Sequence, residues 1–140
     1  MTTIAHPVPS AVAPSRARNI TLWTLQVVFS LFFIIASAAP KLVGQRYAVE
    51  VYAEIGWGQW FRYVTGVVEL AGGLGLLIPR LSGSAAAGLS LTMVCAAATQ
   101  ALLLGAAADA IFPLVLCGVF GWIAWNRRDS IGALRALLTR

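Results

Sequence analysis

Charge is scarce in this chain. Ten Lys and Arg with five Asp and Glu make up 11% of its 140 residues, less than half the share of about 25% usual in soluble domains. Histidine occurs once, at His6, and cysteine twice, at Cys95 and Cys117. Two cysteines exclude a disulfide scaffold, and no His, Cys and carboxylate set has metal-ligand spacing, so no metal is expected. The lone His sits outside every apolar run, which excludes His-ligated haem inside a helical core; His6 reads as a spacer. There is no glycine period, and the glycines at 72, 73 and 75 do not form a GxGxxG loop. The net charge of +5 does not lie along one soluble face. It marks the ends of apolar runs, which argues against nucleic acid as a partner and for anionic lipid heads.

Apolar residues are abundant instead, at 59% against about 45–50% in soluble proteins. A soluble monomer of this size has no interior large enough for them, and such a composition does not stay disordered. The expectation is one all-α domain, an integral membrane four-helix bundle. A span needs about 20 mainly apolar residues. Ile20 to Ala39 carries no charge and is closed by Pro40 and Lys41. Trp60 to Ile78 carries only Arg62 and Glu69 and is closed by Pro79 and Arg80. Leu81 to Ala108 is uncharged, and a span fits near Ser84 to Leu104. Ala110 to Asn126 follows Asp109, with Pro113 in its first turn, and is stopped by Arg127 and Arg128. Three spans and a re-entrant piece form the alternative.

Seven of the ten basic residues (Arg16, Arg18, Arg80, Arg127, Arg128, Arg135, Arg140) fall at one set of span ends, and Lys41, Arg46 and Arg62 at the other. Basic flanks stay inside, so both termini are expected in the cytoplasm. Residues 1–18 read as a disordered tail, 19–128 as the transmembrane domain and 129–140 as a basic cytoplasmic tail. Arg18 with the run ending in Ala36-Ser37-Ala38 mimics a signal peptide, but the run exceeds the 7–15 residues of a signal core and reads as a retained anchor. Between the first two spans lies the one long connection. Gln45 to Ile55 reads there as a short amphipathic helix stopped by Gly56. Trp57, Trp60, Arg62 and Tyr63 follow as an aromatic belt at headgroup level, or as a gate over a polar pocket.

Glu69 carries the most information. It lies about 13 Å along its helix from Trp60, near mid-membrane, where a carboxylate must be neutral, paired or hydrated. Thr65, Gly66, Gly72 and Gly73 share its side of the helix, and small residues let helices approach. Gly88, Thr92, Ala96 and Gln100 form a comparable stripe in the third span. The expected cluster is Lys41, Glu69, Thr65, Thr99 and Gln100, with Arg62, seven residues before Glu69, as a second partner for it. The cluster serves either function or helix register. Cys95 and Cys117 read as buried packing residues.

Three stretches resemble the DoxX-like family of small four-helix membrane proteins: Ala38-Ala39-Pro40-Lys41-Leu42, the run from Gly56 to Leu70 with its Gly66-Val67-Val68-Glu69 core, and the run from Gly73 to Leu81. Pro40 stands where the family often has Gly. The resemblance implies a multi-pass protein of a bacterial inner membrane. By analogy it implies a role beside redox or detoxification complexes, since relatives include the small subunit of a thiosulfate–quinone oxidoreductase. Lys41 and Glu69 match the family's polar positions.

No complete catalytic motif is present, so the chain is not expected to be an enzyme by itself. Three functions compete: an accessory subunit of a membrane oxidoreductase contacting quinone, a proton-coupled small transporter, and an assembly subunit without chemistry. Membrane lipids, a second copy or a larger membrane complex are the expected partners. Quinone is the one cofactor under consideration.

Overall fold

The computed structural model describes residues 15–139; the expected N-terminal tail lies mostly outside them. Every regular element among the described residues is helical. Helix α1 runs Arg16–Val43, α2 Arg46–Ile55, α3 Gln59–Leu77, α4 Ser82–Leu103, α5 Ala107–Asn126 and α6 Arg128–Leu138. Ser15 caps α1 by accepting the Arg18 N–H, so the helix starts earlier than the apolar run alone implies. Residues 128–138, expected as a tail, form a helix of their own. The amphipathic segment expected at Gln45 to Ile55 is α2. Its two ends are set by Gly44 (φ 73°) and Gly56 (φ 80°), a left-handed conformation in which a Cβ is strained.

Helices α1, α4 and α5 are long and apolar enough to cross a membrane, and only 22–28% of their apolar windows is buried. The rest presents side chains such as Ile35, Leu91, Leu102, Ile111 and Val115 outward, a surface that only lipid or a partner tolerates. Helix α3, at 19 residues slightly shorter, carries Arg62 and Glu69 and falls outside that set.

One core cluster joins Leu22 and Phe33 of α1, Leu76 of α3, Ala86, Leu89 and Met93 of α4, and Leu116, Phe120 and Ile123 of α5. Phe120 meets both Phe29 and Phe33 edge-on at 5.4 Å, the geometry aromatic rings prefer. Helix α3 reaches α4 through its glycines. A Cβ on Gly72 would stand 2.6 Å from the Leu89 side chain, and one on Gly75 2.7 Å from Ala85 Cβ. Small residues at those two positions bring the backbones together.

Candidate functional site: a polar seam between α1 and α3

The face of α3 that carries Glu69 packs on α1. Arg62, Gly66, Glu69, Gly73 and Leu76 are its buried positions, spaced three and four apart as one helix side requires. The two helices run antiparallel and are pinned along their length. Gln26 Nε2 donates to Leu76 O at 2.7 Å, and Ser30 Oγ to Gly73 O at 2.6 Å. Lys41 Nζ donates to Glu69 Oε2 at 2.5 Å, and Ser37 Oγ to the same oxygen at 2.9 Å. Lys41 Nζ also reaches Ser37 Oγ at 3.2 Å. Leu76 belongs to the last turn of α3, whose carbonyls lack intrahelical donors, and Gln26 supplies one; the Gly73 carbonyl takes the Ser30 bond on a second lone pair.

A wide turn aims these groups. Residues Phe32–Ala38 form a π-helical stretch inside α1, in which the Ala39 N–H bonds Ile34 O. Pro40 explains its place. Proline has no N–H, and its ring collides with the carbonyl four residues back, so the turn before it opens. The inserted residue rotates the end of α1 and puts Ser37 and Lys41 over Glu69. Gly66 leaves room for this. A Cβ there would meet Leu42 at 3.0 Å and Lys41 Cβ at 3.2 Å.

Arg62 does not pair with Glu69 as expected. Its Nη1 donates to the Lys41 carbonyl, its Nε to Gln59 Oε1 at 2.7 Å, and its guanidinium lies 4.3 Å from the Tyr63 ring centroid. The carbonyls at the end of α1 lack intrahelical partners and carry partial negative charge, so a guanidinium there is a cap. Tyr52 of α2 is buried, and its hydroxyl is 2.5 Å from Thr65 Oγ1. Thr65 in turn donates to Arg62 O at 3.0 Å, which makes Tyr52 the donor. Burial pushes the Tyr52 phenol above its ordinary value of 10.0. Gln59 Nε2 donates to Val49 O at 3.0 Å. These bonds strap α2 to the start of α3.

Thr99 and Gln100 do not join the cluster. The stripe Gly88, Thr92, Ala96 and Gln100 is not the core-facing side of α4; Ala86, Leu89, Met93 and Ala97 are. The register is set by Leu89 and Ala85 fitting the glycines of α3, which sequence spacing within α4 alone does not contain. Thr99 Oγ1 donates to Cys95 O at 2.9 Å. Thr99 instead lines a groove of about 590 Å³ between α3 and α4, to which neither Lys41 nor Glu69 contributes. Thr65, Val68, Leu91, Thr92, Cys95 and Leu102 are among its walls, and Trp57 and Phe61 stand at one end. Trp57, Trp60 and Tyr63, expected as a belt or gate, are all exposed, and Trp57 and Trp60 pack on Phe61 at 5.0 and 5.8 Å. Cys95 is exposed in this groove rather than buried, and Cys117 is half-buried beside Ser90 Oγ at 3.3 Å; both are free.

Sequence reasoning missed Ser37, Tyr52 and Gln59 as parts of the site. It also missed a second polar group at the other end of the seam. Gln26 is fully buried, and its Oε1 accepts from Arg127 Nε at 3.0 Å. Burial pulls the Arg127 guanidinium below its ordinary value. A polar residue recurring on the inner side of the first apolar run (Gln26, Ser30, Ser37) was the available signal.

A helical, membrane-type protein with a buried ion pair between its first and third helices is the class these features define. The chain belongs to the DoxX-like family, whose model matches residues 24–124. That span contains the whole Gln26 to Leu76 seam and the groove. No curated protein and no solved structure matches the chain.

Proposed function

We propose that the chain is a multi-pass protein of a bacterial inner membrane and an accessory subunit of a membrane oxidoreductase or detoxification complex, with the α3–α4 groove as its quinone contact. In this proposal α3 is the fourth span of a four-helix bundle. Support comes from its outward residues Val64, Val67, Val68 and Leu74, about half exposed, while Arg62 and Glu69 are satisfied inside. Both termini are assigned to the cytoplasm. The contacts Gln26–Leu76, Arg127–Gln26 and Gly83–Ser130 gather Arg16, Arg18, Arg80, Arg127, Arg128 and Arg135 at one end, which favours that orientation.

The groove carries the functional proposal. Its volume lies within the range of about 300–1,000 Å³ common for ligand sites, and its apolar walls suit a prenyl tail. Lys41 and Glu69 do not line the groove and are bonded to each other, so they are not the head-group contacts. Thr65, Thr92 and Thr99 are the polar groups that reach the groove. Each donates to a backbone carbonyl, of Arg62, Gly88 and Cys95. A quinone carbonyl would need one of them to redirect its proton, at a cost of about 1 kcal/mol; a ring hydroxyl of the reduced form would meet their free lone pairs directly. The residues therefore fit such a head, and better when it is reduced. The test is lipid extraction and mass spectrometry of the protein purified in mild detergent. Quinone should accompany the wild type and the K41M/E69L pair, and be lost on Leu91→Trp, which fills the groove. Absence of quinone from the wild type refutes the proposal.

The closed hydrogen bonding of Lys41, Ser37 and Glu69 also favours a role in helix register, which is compatible with an accessory subunit. It speaks against proton-coupled transport, since the Glu69 carboxylate is already occupied by a cation of the chain.

A further inference from the structure

Helix α6 is seated on the molecule by its first two turns. Gly83 N–H donates to Ser130 Oγ at 3.0 Å, and Ser130 Oγ donates to Arg127 O at 2.7 Å. The missing Cβ of Gly83 makes the seat: one built there would stand 2.5 Å from Arg127 O and 2.9 Å from Ile131 Cγ1. Beyond Leu134, which is half-buried, the helix leaves the core. Leu137 and Leu138 are 55% and 79% exposed. At 100° per residue, Ile131, Leu134 and Leu138 share one side, while Arg128, Gly132, Arg135 and Thr139 share another. Adjacent leucines this exposed are covered by something in the working protein.

The position and the charge name the cover. Only Arg127 separates α6 from α5, a helix apolar and long enough to cross a membrane, so α6 begins where that helix leaves the apolar layer. Arg128 lies 5.0 Å from the ring centroid of exposed Trp125, an aromatic at the level where headgroups meet acyl chains. Around this end stand Arg16, Arg18, Arg80, Arg127, Arg128 and Arg135, against the single acid Asp129 among the described residues. We propose that α6 is a surface helix that lies on anionic lipid, with Leu137 and Leu138 among the acyl chains and Arg128 and Arg135 on lipid phosphates. Apolar area holds such a helix in the interface, and each arginine strengthens its hold only where the surface is negative. The contact is independent of what the groove binds.

Amide exchange on the full chain tests this, with one copy per nanodisc, in phosphatidylcholine alone and in equal parts phosphatidylcholine and phosphatidylglycerol. Exchange over residues 131–138 should slow in the anionic discs. The two arginines, at about 5-fold each, set the expected difference on the order of 25-fold, and high salt should shrink it. R128Q/R135Q should remove the difference, with exchange in α1, α4 and α5 unchanged as the folding control. L137S/L138S should leave the helix unprotected in both discs. Equal exchange in the two lipids overturns the proposal, whether α6 is protected or bare. So does a difference that survives in R128Q/R135Q.

Discussion

Removing Glu69 or Lys41 singly should cost far more than removing both. Their side chains are only 6% and 18% exposed and meet at 2.5 Å. An ordinary hydrogen bond between membrane helices is worth about 0.6 kcal/mol. Breaking a buried ion pair instead strands the surviving charge in a medium that solvates it poorly, at about 3–5 kcal/mol. In Glu69→Leu the Lys41 ammonium retains only Ser37 as an acceptor. In Lys41→Met the Glu69 carboxylate retains only the Ser37 hydroxyl. In K41M/E69L no charge remains, and Ser37 can turn its proton to the carbonyl of Phe33, four residues back. The double variant should therefore lie within about 1.5 kcal/mol of the wild type, and the two sites should couple by at least about 2 kcal/mol. Reversible unfolding of the four proteins in one detergent, followed by circular dichroism, measures this cycle. Single variants that each cost under about 1 kcal/mol and add in the double would show that the pair is solvated, and the account of the seam would fail.

The glycines of α3 should behave unlike Gly88 of α4. Gly75→Val, built 2.7 Å from Ala85 Cβ, should destabilise by about 1–3 kcal/mol through overpacking, whereas Gly88→Ala, which meets nothing within 4 Å, should be neutral or stabilising by up to about 1 kcal/mol; thermal unfolding separates them. Gln26→Leu removes both the acceptor of Arg127 Nε and the donor to Leu76 O and should cost about 1–3 kcal/mol, read as a lowered melting temperature. The Tyr52 phenol, raised by burial, is favoured neutral in the folded chain. Its contribution is present below pH 10 and is lost as pH climbs through the raised value. Ultraviolet titration should show one late-ionising tyrosine that vanishes in Tyr52→Phe, and proteolysis within residues 45–58 should quicken over the same alkaline range.

Helical class, apolar runs and most of their limits could be read from the chain, because a span is defined by local hydropathy and by the charges, prolines and glycines that end it. Gly56 stops α2 and Pro79 follows α3 for reasons that hold one residue at a time. The pairing of Lys41 with Glu69 was also within reach, since a carboxylate deep in an apolar run needs a cation and few are near. Three-dimensional packing decided the rest. It sent Arg62 to the end of α1, because that helix turned out to finish against it. It withheld Thr99 and Gln100 from the ion pair, because Leu89 and Ala85 dock into glycines on another helix and so rotate α4. It exposed Cys95 in a groove and built the Gln26–Arg127 bond across the length of the chain. Rotation about a helix axis has no local signature: it follows from which bumps on one helix meet which hollows on its neighbour, and that is a property of the pair.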